Sequence, residues 1–262
     1  MTEINPGLRT DALFQKGQVG KVFGSARKAL IEEWISGLSG AILALFIFAH
    51  LLFESTILLS KETYDALAGF LENTVYVTQP LVVIITIVFF IHFVWASRKI
   101  PGKLRDRKSM MELGISLKKA KGRWTQDPKS EIRLRQHFET SLWIWQVRTG
   151  MIVLATGAFH LFLVTWNIFT DMGVLGQESG LTAEITLSRV ESGLWILYAV
   201  LMISVVAHMS IGVYRLLVKW FADTWFVRKY ARILFYFLFW FFIFLGTATI
   251  FGLAGPWEGI LS

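Results

Sequence analysis

The sequence predicts an all-α integral membrane bundle of five transmembrane helices, and three observations lead there. Of the 262 residues, 54% are hydrophobic and the mean hydropathy is +0.53, too apolar for a soluble domain of this length. The apolar residues gather in five runs, 34–60, 77–97, 142–169, 194–218 and 233–254, each about the length that crosses ~30 Å of hydrocarbon. A span isolated in lipid must satisfy its own backbone hydrogen bonds, which selects helix.

Charge sets the expected orientation. The net charge of +7 is concentrated in the stretch 98–135, from Arg98 and Lys99 to Arg133 and Arg135, in the N-terminal arm, and in Arg228, Lys229 and Arg232. The alternate connections carry few cations, mainly Lys61 and Arg189, beside Glu62, Asp65, Glu72, Asp171, Glu178 and Glu184. The positive-inside rule then predicts a cytoplasmic N-terminal arm (1–33), a membrane domain (34–254) containing a basic cytoplasmic loop (98–141), and an external tail (255–262). Topology accounts for the basic stretch, so no nucleic-acid partner is expected. Residues 1–33 have no apolar core before a small-residue cleavage site, which argues against a removed signal peptide. The chain has no cysteine, which excludes an iron–sulfur cluster, a disulfide or a thioether-linked haem within it.

The first run carries Gly37, Gly40, Ala41 and Ala44, a small-residue ladder that lets a neighbouring helix approach. It then carries His50, with Glu54 one turn beyond on the same face. The second run has His92, the third Gly157 and His160, the fourth His208 and Gly212. The fifth has no ionisable group except Tyr236; it should carry no ligand and should pack on the other four or face lipid. His137, in the basic loop among Arg133, Arg135 and Glu139, reads as a solvated surface histidine.

The four intramembrane histidines fall at two depths. At ~1.5 Å per residue, His50 lies roughly 24 Å above Trp34 and His160 about 26 Å above Trp143, both toward the outer face. On the same rise His92 lies about 9 Å before Arg98 and His208 about 10 Å before Arg215, both toward the cytoplasm. A lone histidine on an apolar helix is most simply a hydrogen-bonded packing residue; four on separate helices at paired depths point to metal or haem. Each pair supplies two nitrogens and no carboxylate cluster, which favours haem over zinc or copper. Two axial imidazoles leave the iron no open position, which suits electron transfer. Four of the five helices would then form a haem-binding four-helix core.

Several strings carry a family likeness: 46–60 (FIFAHLLFESTILLS), 91–101 (IHFVWASRKIP), the tract 142–164 ending in AFHLFLV, and above all 208–220 (HMSIGVYRLLVKW). With the four histidines in register, the chain from about residue 27 to 252 resembles the dihaem cytochrome b subunit of fumarate reductases and succinate dehydrogenases. The similarity is to the menaquinone-linked type with a single five-span anchor. It implies two haem b groups, the distal on His50 and His160 and the proximal on His92 and His208. It implies propionate contacts for Trp143, Lys219 and Ser36 at the proximal haem and for Arg189 at the distal one. Glu72 matches the carboxylate that accepts a proton from menaquinol on the outer side. Some members carry a glutamate two places before the fourth ligand; this chain has Val206 there, which puts transmembrane proton compensation in doubt or moves it to another group. Glu54 is the conspicuous extra carboxylate and is taken as a possible proton relay or a tuner of the distal haem.

The implied protein is a multi-pass subunit of the bacterial inner membrane. It would pass electrons between menaquinol and a cytoplasmic iron–sulfur subunit, with a flavoprotein beyond holding the dicarboxylate site. A dimer of heterotrimers is compatible with the resemblance. The rival of similar chemistry is the cytochrome b anchor of a hydrogenase or formate dehydrogenase. The rival of another class is a haem-free transporter, which would break its helices at mid-membrane; Pro6, Pro80, Pro101, Pro128 and Pro256 all avoid the span centres.

Overall fold

The computed structural model describes residues 16–74, 78–124, 138–170, 182–221 and 224–253. The expected arm before residue 16, the loop portion 125–137 with His137, the acidic residues Asp171 and Glu178, and the tail 255–262 lie outside these. Every described element is helical. In order they are α1 (Lys16–Ser55), α2 (Lys61–Gly69), α3 (Thr78–Ser97), α4 (Ile100–Trp124), α5 (Phe138–Thr170), α6 (Ala183–Arg189), α7 (Trp195–Trp220) and α8 (Trp225–Leu253). Five stretches are long and apolar enough to cross a membrane: Arg27–Leu58, Thr78–Ser116, Phe138–Asn167, Ala183–Trp220 and Trp225–Leu253. The fold is an all-α membrane bundle.

Helix α1 starts at Lys16, well before the apolar run, and passes through the arm without a break. Much of the basic connection is helical too, as α4. Pro101 sits in the first turn of α4, where a missing N–H costs nothing. The Lys, Arg, Met, Leu and Glu that follow are good helix formers.

Helices α1, α3, α5 and α7 form a ring in which α1 packs on α3, α3 on α5, α5 on α7, and α7 back on α1. Diagonal partners α1/α5 and α3/α7 therefore face each other across the middle. Helix α8 stands outside, packed on α7 and α1. The α7–α8 seam is the best-buried part of the bundle: Met202, Val206, Met209, Leu238 and Phe242 form one cluster, and Leu142, Ile211, Tyr214, Ala231 and Phe235 another. Gly246 is required there, since a Cβ would stand 2.7 Å from the Met202 side chain. The opposite side of α8 exposes Phe237, Trp240, Phe244 and Phe251, as a lipid-facing surface does.

Two short helices cap one end of the ring. Ser60 caps α2, its hydroxyl accepting from Thr63 N–H at 3.0 Å, and Thr182 caps α6, accepting from Ile185 N–H at 3.4 Å. These satisfy amides that the first turn of a helix leaves without partners. Asp65 of α2 accepts from the Ala183 N–H of α6 at 2.7 Å, and Tyr64 and Thr186 hydroxyls meet at 3.2 Å. Ile57, Tyr64, Ala68, Ala183, Val190 and Leu253 bury together beneath them. Each short helix runs into a π turn, Phe70–Thr74 after α2 and Val190–Leu194 after α6. Gly193 takes φ 93° in the second turn, a left-handed conformation that favours glycine, and so lets the chain kink into α7.

Asp65→Ala removes the carboxylate shared between the caps. It should cost about 1 kcal/mol and speed hydrogen exchange at Ala183 and the first turn of α6. Exchange in the middle of α7 should not change.

Candidate functional site: two facing histidine pairs

One cavity of about 1210 Å³ runs through the ring, lined by all four intramembrane histidines. That exceeds the ~300–1,000 Å³ of an ordinary small-molecule pocket. At the capped end the rings of His50 on α1 and His160 on α5 have centroids 6.2 Å apart, planes inclined at 39°. At the other end His92 on α3 and His208 on α7 are 6.3 Å apart at 82°. Two imidazoles sharing one metal through bonds of about 2 Å each hold their ring centres about 6 Å apart.

The ring nitrogens are occupied unequally. The His208 Nδ1–H donates to the Gln146 carbonyl at 2.9 Å, with Thr149 Oγ1 at 3.4 Å. A carbonyl can only accept, so His208 carries its proton on Nδ1 and keeps the Nε2 lone pair for another partner. His92 Nδ1 meets Ser39 Oγ at 3.1 Å. On the capped side His50 Nδ1 lies 3.8 Å from a Glu54 carboxylate oxygen and its ring stacks on Phe46. His160 stands edge-on to Tyr198, and its Nδ1 is buried with no hydrogen-bond partner.

Close helix approach fixes the ring positions. A Cβ at Gly40 would stand 2.9 Å from His92 Cε1, and one at Gly150 would stand 2.8 Å from His208 Cε1. Gly157 and Gly212, the small residues singled out from the sequence beside the third and fourth histidines, also line the cavity. Both have more room: their nearest neighbours would be at 3.6 Å and 3.4 Å.

The remaining sequence-predicted residues divide by end. Trp143, Lys219 and Ser36 line the uncapped end, together with Glu33, Lys99, Lys103, Glu139 and Arg215. Glu33 pairs with Lys99 at 3.1 Å and with Lys219, and Arg215 donates to the Gln146 amide oxygen. Arg189 and Glu54 line the capped end with Tyr64, and Arg189 is buried. Burial raises the Tyr64 phenol well above its usual range. Glu72 sits half-buried in the π turn Phe70–Thr74. Its neighbour Leu71 lines the cavity, while Glu72 is not among the lining residues.

Sequence reasoning missed Glu33, assigned to the arm, and the partners Ser39, Gln146, Thr149 and Gly150; Gly40 was singled out as a small residue, though not as the neighbour of His92. Which helix stands beside which histidine is not visible in one helix's own pattern.

The donor set fits bis-histidine haem. The pairs face across one cavity at a metal-sharing separation, and a buried imidazole nitrogen, His160 Nδ1, has no protein partner. Among the described residues no group of three or more His, Asp or Glu gathers as a zinc or copper site would need.

No family model matches the chain. Curated "Fumarate reductase cytochrome b subunit" proteins from two strains of Helicobacter pylori and from Wolinella succinogenes are each 28% identical over 195 residues, covering 72% of this chain. The match spans 66%, just under two thirds, of each relative's own length.

Filling either glycine should strain the site. Gly150→Ala drives a methyl against His208 Cε1 and should cost about 1–3 kcal/mol, read as a lowered unfolding temperature in detergent. Gly157→Ala, with ordinary contacts, should cost less than half as much.

Proposed function

We propose that this chain, which is homologous to the fumarate reductase cytochrome b subunits, is the quinone-reactive membrane anchor of a menaquinol:fumarate reductase or succinate dehydrogenase complex. The observation that carries the reading is the double pairing: two sets of opposed imidazoles, one at each end of a single cavity. His50 and His160 would hold one haem b and His92 and His208 the other. Bound there, the two groups would supply one-electron transfer between the two sides of the bilayer.

The chain's own residues do the rest. His208, protonated on Nδ1 by its bond to the Gln146 carbonyl, offers Nε2 as ligand. Lys219, with Lys99 and Lys103 at the uncapped rim, gives propionates a cationic edge, and Trp143 and Ser36 lie on the same rim. Arg189 plays the cationic part at the capped end.

Menaquinol would approach at the capped, outer end. Glu72, in the turn whose Leu71 reaches the cavity, would take a proton from the quinol hydroxyl and release it outward. Glu54, close to His50, is a second acidic group placed for proton relay. Domain boundaries and orientation follow the charge: the N-terminal arm, α4 and the rest of the 98–141 stretch on the cytoplasmic side, the 255–262 tail outside. The basic stretch would dock an iron–sulfur subunit, itself bound to a flavoprotein that interconverts fumarate and succinate. The complex would sit in a bacterial inner membrane.

A dithionite-minus-air difference spectrum of the purified chain tests the core of this. It should show b-type bands and two haems per polypeptide; a haem-free transporter would show none. His50→Ala or His160→Ala should remove one haem, and His92→Ala or His208→Ala the other. Copurification of a hydrogenase or formate dehydrogenase in place of a flavoprotein would move the chain to the rival anchor. Glu72→Gln should keep both haems and slow menaquinol oxidation by about 10²-fold; Glu54→Gln with unchanged turnover and haem potentials would remove Glu54 from the pathway.

A further inference from the structure

We propose that Ser39 and Thr149 are positioning residues that fix the tautomer and ring orientation of His92 and His208, through a Ser/Thr–Gly dipeptide that the chain uses twice. Ser39 Oγ donates to the Ile35 carbonyl at 2.6 Å, and Thr149 Oγ1 donates to the Trp145 carbonyl at 2.7 Å. A hydroxyl has one proton, and each has committed it to its own helix, so what it turns toward the imidazole is a lone pair. The His92 Nδ1, 3.1 Å from Ser39 Oγ, and the His208 Nδ1, 3.4 Å from Thr149 Oγ1, must then carry the hydrogen. For His208 the Gln146 carbonyl imposes the same proton position independently. Nε2 of each is left as the ligating atom.

The glycine that follows each hydroxyl completes the clamp. Gly40 and Gly150 let the helix backbone come against Cε1 of His92 and His208, where a Cβ would intrude. Both hydroxyl residues are buried, and on each helix the clamp lies the same distance from that helix's own histidine. Ser39–Gly40 precedes His50, and Thr149–Gly150 precedes His160, by the same pattern, Ser/Thr–Gly followed by nine residues and then His. Eleven residues make about three helical turns, so ligand and clamp share a face. Helices α1 and α5 thus each supply a histidine to one pair and orient a histidine of the other. The pattern belongs to a larger repeat: α2 and α6, the short helices after α1 and α5, each end in a π turn before the helix bearing the clamped histidine.

An acceptor on Nδ1–H makes an imidazole a stronger donor to a metal. Removing it should favour the reduced state and raise the potential of the haem at that level alone. The inference rests on the haem reading above.

The test uses the intact membrane complex with Ser39→Ala, Thr149→Ala, Ser39→Thr and Thr149→Ser. Haem content, a redox titration and the low-spin ferric signature are measured for each. Ser39→Ala should keep two haems and shift one midpoint potential upward, that of the haem lost in His92→Ala; Thr149→Ala, in which His208 keeps the Gln146 carbonyl, should shift the same potential by less, and the conservative variants keep the wild-type value. Loss of that haem alone from an alanine variant, restored in its conservative counterpart, is an equally supporting result. Unmoved potentials, a shift confined to the His50/His160 haem, loss of both haems, or hydroxyl-bearing variants that behave like alanine would each overturn it. A wild-type chain without haem overturns the underlying reading instead, and shows before any variant is made.

Discussion

Four imidazoles must face each other in two pairs across one helical ring, and that requirement shapes the bundle. A helix interior ordinarily fills to crystal-like density. Here diagonal partners stand apart by the width of two rings and a gap, while adjacent helices press together closely enough that glycine is needed at 40 and 150. Wide diagonals and tight edges are two sides of one constraint. Bulk at the edges would push the rings off their facing positions, and bulk in the middle would close the space between them.

The two ends differ in chemistry. The uncapped rim is cationic, with Lys99, Lys103, Arg215 and Lys219 answered by Glu33 and Glu139. The capped end buries Tyr64 of α2 and Arg189 of α6 beside a half-buried Glu54 and ties the caps together through Asp65 and Tyr64. Anions suit the first end, and guarded traffic of small neutral molecules and protons suits the second.

Much of this was legible in the sequence because membranes simplify the code. Uniform apolar runs gave the spans, and a fixed rise per residue placed His50 level with His160 and His92 with His208. The two caps were harder. KETYDALAG and AEITLSR are short and polar enough to pass for loops, and they are held by capping groups, by each other and by the few residues they bury, Tyr64 and Ala68 from one and Ala183 from the other. Glu33 and Gln146 were invisible for a different reason. Their partners lie far away in sequence on neighbouring helices, and nothing in a single helix records its neighbour. Glu72 lies in the π turn after the first cap, yet proximity in sequence said nothing about whether its carboxylate or the adjacent Leu71 would turn to the cavity.

Val206 bears on how such a bundle can change its proton economy. Its side chain is wholly enclosed in the seam with Met202, Met209, Leu238 and Phe242; Met202 and Met209 also line the central space, but Val206 does not. A carboxylate installed there would be desolvated among hydrocarbon with no counter-charge, an expensive arrangement. Lineages that acquire or discard an acid at that point are therefore expected to rewrite α8 in the same stroke, making the outermost helix, which carries no histidine, a gatekeeper of evolutionary access to charge movement.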